Sequence, residues 1–511
     1  MLNVTPIAKK ILLPKALRLD KWIGKAMQLQ TEQLMTNIVM ACDTLYGREY
    51  HFRSIKSYPD FAERVPLNRY EDLKPYIMRM VKGESDVLWK GRVTDFAQSS
   101  GTSDGKSKFI PISREALAKN HIGGAYIALA CYLRNFTNSK IFSGRSFILG
   151  GSFANTLDLP LPDNVHVGDL SATLISKVPR IIEMFYRVPS RTTALMSDWE
   201  DKLPALVEAA SKQNVTNISG VPSWFMTVLQ NILDYTKKDT ILEVWPHLEV
   251  FFHGGINFNP YRDQYKELMG GDINYVETYN ASEGFFAVQD NPQIQAMRLL
   301  IEQGVFYEFL ESGSTIPVTV DGVETGKIYE LIISSCNGLW RYSPGDTIRV
   351  ESVEPLRISV VGRTKHFINA FGEEVMVYNA DNALMQACRA TGANVINYTA
   401  APLYAHDREK GRHQWLIEFS RLPSSIMQFE EALDEALRRE NSDYDAKRSH
   451  SLFLEAPQVV IAHSGVFDQW LASTGKLGGQ RKVPKLSNNR EIIEAILKLN
   501  DQHHETHIMG R

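Results

Sequence analysis

Four apolar segments, each ending in small or polar residues, constrain the fold of this chain most. They alternate with stretches of helical periodicity, and their apolar residues run almost without interruption. Such strands are typical of a sheet covered by helices on both faces, whose ligand sites lie beyond the carboxyl ends of the strands. The sequence therefore predicts a buried α/β sheet with strands over residues 146–151, 215–222, 248–255 and 272–279.

A second pattern divides the chain into parts of different character. The first ninety residues have helical periodicity, and residues 300–350 contain short strands separated by glycine-containing turns, which predicts an antiparallel, β-barrel-like subdomain. A polar, proline-containing stretch follows, and strands and a charged helix then alternate. We therefore expect an α/β protein with a large N-terminal domain over residues 1–360 and a small α+β C-terminal domain over residues 361–511.

Composition and charge exclude several classes of protein. Hydrophobic residues make up 44% and charged residues 23% of the 511 residues, as in ordinary globular enzymes, and the formal net charge is −3. That charge predicts no general attraction to nucleic acid or to an anionic membrane, although local lysines matter more than the sum. No apolar run approaches about 18 residues, and the first residues lack a signal-peptide pattern. We expect a cytoplasmic monomer without membrane or nucleic-acid partners.

The four cysteines give no sign of a structural cross-link. They are scattered along the sequence without CxxC spacing and without a histidine at the sequence spacing of a metal site. The sequence therefore predicts free thiols rather than disulfides or a zinc site.

The segment Ser99–Lys108, SSGTSDGKSK, is similar at first sight to a phosphate-binding P-loop. Only three residues separate Gly101 from Gly105, whereas the P-loop pattern requires four. Both flanks, residues 92–97 and 108–113, are predicted to be extended, so no helix follows the loop. Small residues, hydroxyls and two lysines can still hold phosphate through backbone N–H groups. A surface turn rich in glycine and serine explains the same residues equally well.

A second patch of reactive groups lies at the end of the fourth predicted strand, in the segment TYNASEG at 278–284. Tyr279 can stack on a base, and Glu283 can bind Mg²⁺, because hard cations at phosphates usually take one or two carboxylates. The same segment is also typical of a helix start, with Asn280 or Ser282 as the cap and Glu283 favouring the helix dipole. Both interpretations are open at this point.

Two more patches follow predicted strands. Asp346 stands after a Pro-Gly turn, where its carboxylate can accept two hydrogen bonds from a ribose diol or can cap its own turn. The pair Gly254-Gly255 leaves the backbone bare for the close approach of a flat ring, or forms an ordinary turn.

Taken in order, these patches are more specific than any one alone. A Ser/Thr/Gly loop, a Gly-Gly pair, a Tyr-x-x-Ser-Glu segment, an Arg-x-x-x-Gly-Asp turn and a Gly-Arg-Thr-Lys boundary resemble the adenylate-forming superfamily of acyl-CoA synthetases, adenylation domains and luciferases. Within it, SSGTSDGKSKFIPIS, TLYGR at 44–48 and QRKVPK at 480–485 look most like the acyl-acid-amido synthetase family, the auxin-responsive Gretchen Hagen type, and its bacterial members. The resemblance covers nearly the whole chain.

This resemblance implies a ligase that uses ATP and Mg²⁺ in two steps. A small carboxylic acid reacts with ATP to give an acyl-adenylate, and an amine, by resemblance an amino acid, then takes the acyl group to give an amide and AMP. A CoA ligase would share every nucleotide-binding residue and differ only in its acceptor. A non-catalytic sensor of a nucleotide or an acid is a third alternative with the same fold, and a P-loop ATPase is disfavoured by the loop.

The resemblance also implies roles for the matching residues. Gly254 and Gly255 would line the adenine, with Tyr279 stacked on it, and Asp346 would hold the ribose. Glu283 would bind Mg²⁺, next to Ser282. The implied phosphate-binding and catalytic loop residues are Ser99, Ser100, Gly101, Thr102 and Ser103.

Three basic residues near and beyond the domain boundary complete the implied site. Arg363 would reach the ribose or the α-phosphate, and Lys365 stands where the superfamily has the hinge of its mobile C-terminal domain. Plant members have a lysine a few residues beyond the hinge, whereas residues 371–374 here are FGEE. We therefore expect Lys482 to contact the α-phosphate, the alternative being a solvated basic turn.

The acyl pocket is the part of the site that the sequence specifies least. Its apolar candidates are Trp224, Phe225 and Phe285, although an aromatic residue near a strand end is usually part of the core.

Overall fold

The chain forms two compact units. In the computed structural model, one unit comprises residues 1–256 and 267–360, and the other comprises residues 257–266 and 361–511. The structure describes residues 3–99, 108–153, 160–255, 258–311, 313–363, 367–368, 370–371, 373, 375–403, 411–449, 454–474 and 482–509.

The strands of the first unit form two sheets in the described residues. They are β1 (Asp95–Ser99), β2 (Lys108–Ile112), β3 (Arg145–Ile148), β4 (His166–Gly168), β5 (Arg187–Val188), β6 (Val215–Gly220), β7 (Val250–Gly254), β8 (Asn274–Ala281), β9 (Gly284–Val288), β10 (Met297–Leu299), β11 (Val305–Glu311), β12 (Ile328–Ser335), β13 (Asp346–Val353) and β14 (Leu356–Arg363).

The larger sheet has the strand order β11-β12-β13-β14-β10-β9-β8-β7-β6-β3-β5. Strands β5, β3, β6, β7 and β8 run parallel to one another, and each of the four predicted apolar strands forms one of them. The first four residues of β7 are buried, as continuous apolar runs in covered parallel sheets are. The carboxyl ends of these parallel strands therefore meet at one edge.

Strands β11 to β14, from the region predicted to be barrel-like, are not a separate barrel. Among the described residues, β11 pairs antiparallel with β12, β12 pairs antiparallel with β13, and β14 pairs antiparallel with β10. The large sheet therefore continues through them, and their antiparallel pairing is as predicted. The spacing of turns predicts where strands begin and end, but it does not determine which strands pair with each other.

Helices cover the first unit. The helical periodicity predicted for the first ninety residues is confirmed, and at the start of α5 the Asp72 carboxylate accepts a hydrogen bond from the Arg69 N–H at 2.7 Å. A π-helix, Ala116–Ile122, precedes α6. The helices are α1 (Thr5–Asp20), α2 (Ala26–Ala41), α3 (Leu45–Glu49), α4 (Tyr58–Arg64), α5 (Tyr70–Val81), α6 (Gly123–Asn135), α7 (Leu170–Lys177), α8 (Arg180–Tyr186), α9 (Arg191–Ala194), α10 (Trp199–Ser211), α11 (Pro222–Thr236) and α12 (Ile241–Val244).

The second unit is built around a three-stranded sheet of order β17-β18-β19. Helices α14 and α15 pack against each other, and the core contains Trp415, Phe429 and Leu433. The elements of this region are α13 (Arg262–Met269), β15 (Phe367–Ile368), β16 (Val375–Met376), α14 (Val377–Thr391), β17 (Asn394–Leu403), β18 (Arg412–Arg421), α15 (Ile426–Glu440), α16 (Ser442–Ser449), β19 (Gln458–Ala462), α17 (Val466–Ser473) and α18 (Glu491–Met509).

Two global predictions can be compared with the structure. All four cysteines are free thiols, as predicted. Over the described residues, none of the helices combines the length and the apolar character that a membrane crossing requires.

Candidate adenylation site

The phosphate-loop candidate joins two antiparallel strands. Ser99, the last residue of β1, pairs with Lys108, the first residue of β2, so the extended flanks are confirmed and no helix follows the loop. The P-loop interpretation is thereby excluded, because a P-loop opens a helix. Ser100, Gly101, Thr102 and Ser103 lie outside the described residues, and their phosphate-binding role stays a prediction.

Gly254 ends β7 at the carboxyl edge of the large sheet, directly beside Thr278 of β8. A Cβ atom at residue 254 would lie 2.2 Å from the backbone oxygen of Thr278, closer than any side chain tolerates. The next residue, Gly255, has a φ of +79°, which L-residues rarely adopt. Both glycines are thus required by the backbone itself, whatever else approaches them.

Tyr279 and Asp346, both predicted nucleotide ligands, contact each other. The Tyr279 hydroxyl donates a hydrogen bond to Asp346 Oδ2 at 2.6 Å, and both side chains are buried. Asp346 begins β13 immediately after Gly345, whose φ is +88°. A carboxylate offers about four acceptor positions, so one phenol hydroxyl leaves it able to accept further hydrogen bonds.

Ser282 and Glu283 form the turn between the antiparallel strands β8 and β9. This hairpin excludes the alternative in which Asn280 or Ser282 caps a helix. The Glu283 side chain is buried, and its backbone oxygen accepts a hydrogen bond from Asn337 Nδ2 at 3.2 Å. The turn is therefore held in place by a residue that the sequence did not single out.

Asn337 also connects this turn to the strand that follows the phosphate loop. Its Oδ1 accepts a hydrogen bond from the Ser113 N–H at 3.0 Å, and the Ser113 hydroxyl donates to the backbone oxygen of Cys336 at 2.6 Å. The Asn-Gly pair at 337–338, with Gly338 at a φ of +82°, was a turn signal in the sequence. One amide thus links β2, the Glu283 turn and the 336–338 turn.

Arg341, the arginine of the Arg-x-x-x-Gly-Asp motif, is a structural residue. Its Nη2 donates to Glu308 Oε1 at 2.7 Å, and its Nη1 donates to the backbone oxygens of Ala62 and Val65, both at 2.8 Å. The Glu308 carboxylate also accepts a hydrogen bond from the Tyr58 hydroxyl at 3.0 Å. The motif therefore anchors the turn that leads to Asp346.

A buried histidine lies close to the hairpin formed by β8 and β9. His121, in the π-helix, has no hydrogen-bond partner for either ring nitrogen among the described residues. Burial lowers its pKa to about 4, although the neighbouring Asn280 opposes this shift, so the ring is neutral at pH 7. Pattern reasoning gave no signal for this residue, because a single histidine in an apolar helix is most often part of a core.

The aromatic candidates for the acyl pocket pack largely as core residues. Phe225 is fully buried and contacts Phe147 edge to face, with ring centroids 5.1 Å apart. Phe285 is buried against α6, where a Cβ at residue 124 would lie 2.4 Å from its ring. Trp224 is partly buried and contacts Trp199 at 5.0 Å. The core interpretation thus fits Phe225 and Phe285, and no pocket assignment follows from these contacts.

The predicted basic site residues are found in two places, at the end of β14 and in the second unit. Arg363 is the last residue of β14, and its side chain lies outside the description, as does all of Lys365. Lys482 is partly buried. Lys485, three residues later, donates to Asp381 Oδ1 at 2.6 Å and lies 5.1 Å from the centre of the Tyr398 ring. Lys485 therefore has a structural role in this unit.

Glu373 lies in the segment where this sequence departs from the plant pattern, and its partners belong to the second unit. The Glu373 carboxylate is fully buried, lies 2.8 Å from His413 Nε2 and accepts a hydrogen bond from the Phe371 N–H at 2.7 Å. Burial by itself raises the pKa of Glu373, but His413 and the backbone donors outweigh it and lower the pKa. The Glu373 carboxylate thus has its partners within its own unit.

The donor set of the first unit fits a magnesium nucleotide as substrate. Glu283 offers one carboxylate, and in the described residues no three His, Cys, Asp or Glu side chains gather as a resident metal site requires. Asp346 is placed to accept hydroxyl donors, and Gly254 has no room for a side chain. These features suit a metal that arrives with phosphates.

Family models match most of the sequence. The model of the GH3 family N-terminal domain matches residues 16–273, that of the GH3 family central domain matches residues 298–363, and that of the GH3 family C-terminal domain matches residues 378–491. A probable indole-3-acetic acid-amido synthetase, GH3.1 of Arabidopsis thaliana, is 22% identical over 94% of this chain and 93% of its own length.

Solved structures show the same fold. The AtGH3.15 acyl acid amido synthetase in complex with 2,4-DB has a TM-score of 0.79 at 17% identity, over 98% of this chain and 97% of that one. A 2-hydroxyisobutyryl-CoA ligase in the postadenylation state has a TM-score of 0.61 at 13% identity, over 94% and 92% of the two chains. Both neighbours share the predicted α/β adenylate-forming fold.

Proposed function

This chain belongs to the GH3 family, and from that premise we propose that it is an acyl acid amido synthetase, which adenylates a small carboxylic acid with ATP and transfers the acyl group to an amine. The observation that carries the proposal is the buried Tyr279–Asp346 hydrogen bond, which lies in the same unit as the Gly254 strand end and the Glu283 turn. The relatives named above are amido synthetases of matching length, which supports the amine acceptor.

The chemistry requires activation because a carboxylate at neutral pH is a poor electrophile. In the first step, a carboxylate oxygen attacks the α-phosphorus of ATP, the bond to the bridging oxygen breaks, and pyrophosphate leaves. In the second step, an amine nitrogen attacks the acyl carbon, AMP leaves, and a proton is released from the nitrogen. Positioning and charge neutralisation are the main contributions that a protein can make to both steps.

Each predicted site residue of the first unit has a role in this proposal. Asp346 accepts hydrogen bonds from the ribose hydroxyls while the Tyr279 hydroxyl fixes its orientation. Gly254 and Gly255 let the adenine approach the backbone, and Glu283 binds the Mg²⁺ that neutralises the phosphate charge. Residues 99–103, including Thr102, hold the phosphates.

Arg363 and Lys482 supply positive charge to the ribose and α-phosphate in this proposal. Residues 361–511 act as the C-terminal domain, which turns about residue 365 between the two half-reactions, as the superfamily resemblance implies. Lys482 belongs to the second unit.

A CoA ligase is the second candidate function. The 2-hydroxyisobutyryl-CoA ligase shares this fold, and a CoA ligase would differ from an amido synthetase only in the acceptor of the acyl group. A nucleotide or acid sensor is the third candidate, and it requires neither Glu283 nor a magnesium carboxylate.

Carboxylate-dependent exchange between ATP and pyrophosphate tests the adenylation step. The purified chain is assayed with Mg²⁺ over aromatic, indolic and aliphatic acids, and each active acid is then offered amino acids or CoA. An amide product supports the proposal, whereas a product with CoA alone assigns the thioester ligase. Absence of exchange over the whole panel, with ATP still bound, assigns the sensor.

Matched variants test the residues. Asp346→Asn should raise the KM for ATP by about tenfold or more, since hydrogen bonds to charged groups are worth about 1.5–3 kcal/mol. Glu283→Gln should lower kcat and increase the Mg²⁺ requirement. The exposed Asp234→Asn and Glu267→Gln are the controls. Equal activity of the site variants and the controls would contradict these assignments.

A further inference from the structure

The first helix of the chain has an unusual outer face. Helix α1 buries Leu12, Ala16 and Leu19 against the rest of its unit. On the opposite side, residues three and four apart form two adjacent rows, because such residues are neighbours on a helix surface. We call these rows the α1 outer face, which consists of Ile7, Lys10, Ile11, Pro14, Leu17, Arg18 and Lys21.

The apolar members of the α1 outer face are strongly exposed. Ile7 is 62% exposed, Ile11 is 67% exposed and Leu17 is 55% exposed. Isolated apolar side chains on a surface are common, but these three lie on one side of one helix that is itself firmly packed. They form a continuous aliphatic stripe.

The sequence that carries this stripe is basic. Residues 3–25 contain six lysines and arginines and a single acid, Asp20, although the whole chain has a net charge of −3. Asp20 is itself engaged by Arg134 at 3.3 Å and by Arg298 at 3.1 Å. Lys10 and Lys21 are exposed, and they lie on either side of Leu17 along the α1 outer face. The helix therefore presents aliphatic side chains between lysines.

We propose that the α1 outer face docks the protein on an anionic lipid bilayer. An aliphatic stripe between lysines can place its apolar residues at the acyl boundary and its ammonium groups among the headgroups, while the inner face of α1 stays packed on its own unit. The net charge of the whole chain did not predict this, because a charge sum averages over the surface. The inference is independent of the adenylation chemistry.

The composition of this face favours lipid over a protein partner. Centres of protein interfaces are enriched in aromatic residues and arginine and are depleted in lysine. The α1 outer face has no aromatic residue, and its one arginine, Arg18, pairs with Glu302 at 2.7 Å. Two copies joined through this face would also set lysines against lysines, which like-charge repulsion disfavours.

Co-sedimentation of the full chain with vesicles tests the proposal. Vesicles of phosphatidylcholine mixed with phosphatidylglycerol are compared with vesicles of phosphatidylcholine alone, at low and at high salt. Replacing Lys10 and Lys21 with Gln should weaken binding about 25-fold, from roughly fivefold for each lysine near an anionic surface. Ile7→Ser with Ile11→Ser should weaken it about tenfold or more.

The controls change equally exposed residues elsewhere on the first unit. Ile316→Ser removes an isoleucine that is 77% exposed, and Lys56→Gln with Lys238→Gln removes two exposed lysines. Circular dichroism verifies that every variant is folded. Binding that needs phosphatidylglycerol, is lost in high salt and depends on the α1 residues alone supports the proposal.

Three results would overturn it. One is that neither kind of vesicle sediments the protein. Another is that the control variants weaken binding as much as the α1 variants. The third is that light scattering finds a dimer which Ile7→Ser with Ile11→Ser converts to a monomer, since the face would then be a contact between copies.

Discussion

Replacing Arg341 with Met should destabilise the first unit severely, although the residue belongs to a motif that is read as a nucleotide signature. Glu308 is completely buried, and Arg341 is the basic residue that contacts its carboxylate, through Nε at 3.1 Å and Nη2 at 2.7 Å. The same guanidinium donates to the backbone oxygens of Ala62 and Val65. Methionine leaves the carboxylate buried without its counter-charge and leaves both backbone oxygens without these donors.

The expected loss can be worked out from these contacts. Removing one partner of a buried ion pair costs about 3–5 kcal/mol, because the remaining charge has lost both water and its partner. Replacing both partners removes that charge, so the double variant Glu308→Leu with Arg341→Met should lose only the two backbone contacts of Arg341 and the hydrogen bond that the Tyr58 hydroxyl donates to Glu308. At about 1 kcal/mol each, this leaves a loss of about 3 kcal/mol, whereas Arg341→Met loses the two backbone contacts in addition to the cost of the unpaired charge.

Urea unfolding of the full chain measures these differences. Tryptophan fluorescence is a suitable probe of the first unit, because Trp340 adjoins Arg341 and is fully buried. The control is Arg349→Met, which breaks the partly exposed pair of Arg349 with Glu351 at 2.9 Å and should cost at most about 1 kcal/mol. The reasoning is wrong if Arg341→Met costs no more than this control, or if the double variant is no more stable than the single one.

Three further predictions concern other described residues. Gly254→Ala should separate β7 from β8, because the new Cβ would lie 2.2 Å from the Thr278 oxygen; we expect a loss of about 1–3 kcal/mol in urea unfolding, together with loss of ATP–pyrophosphate exchange. Lys202→Met should cost about 2–4 kcal/mol in the same assay, since the buried ammonium, whose pKa burial lowers to about 8, donates to the Gly150 oxygen at 2.7 Å and to the Met196 oxygen at 3.1 Å. Burial raises the pKa of Glu418 from 4.5 to about 7, so the folded protein binds this proton more tightly than the unfolded chain does, and the stability that it provides is lost as the pH rises towards 7. Glu418→Gln should therefore flatten the fall in Tm between about pH 5 and about pH 7.5, by an amount corresponding to about 3 kcal/mol, and an unchanged slope would contradict the shift.

Local sequence determined the elements of this protein and the positions of its reactive groups. Apolar segments predicted the strands β3, β6, β7 and β8. In β6 and β7 the first four residues are all buried, as in parallel strands that are covered on both faces. The extended flanks predicted on both sides of residues 99–108 disfavoured a P-loop, and the antiparallel pairing of Ser99 with Lys108 bears out those flanks. Order along the chain was sufficient to identify the family, since each motif is short and its chemistry is local.

Tertiary structure decided which partners those groups contact. Tyr279 and Asp346 are 67 positions apart along the chain, and the hydrogen bond between them joins β8 and β13, which are not neighbours in the sheet. The helix-cap alternative for Ser282 failed because β9 turns back on β8, and Glu373 became an internal partner of His413 because a distant strand, β18, brings the imidazole to it. Residues that look alike along the chain thus differ in role, because burial and long-range neighbours fix which partner each polar group finds, and neither is encoded in a local pattern.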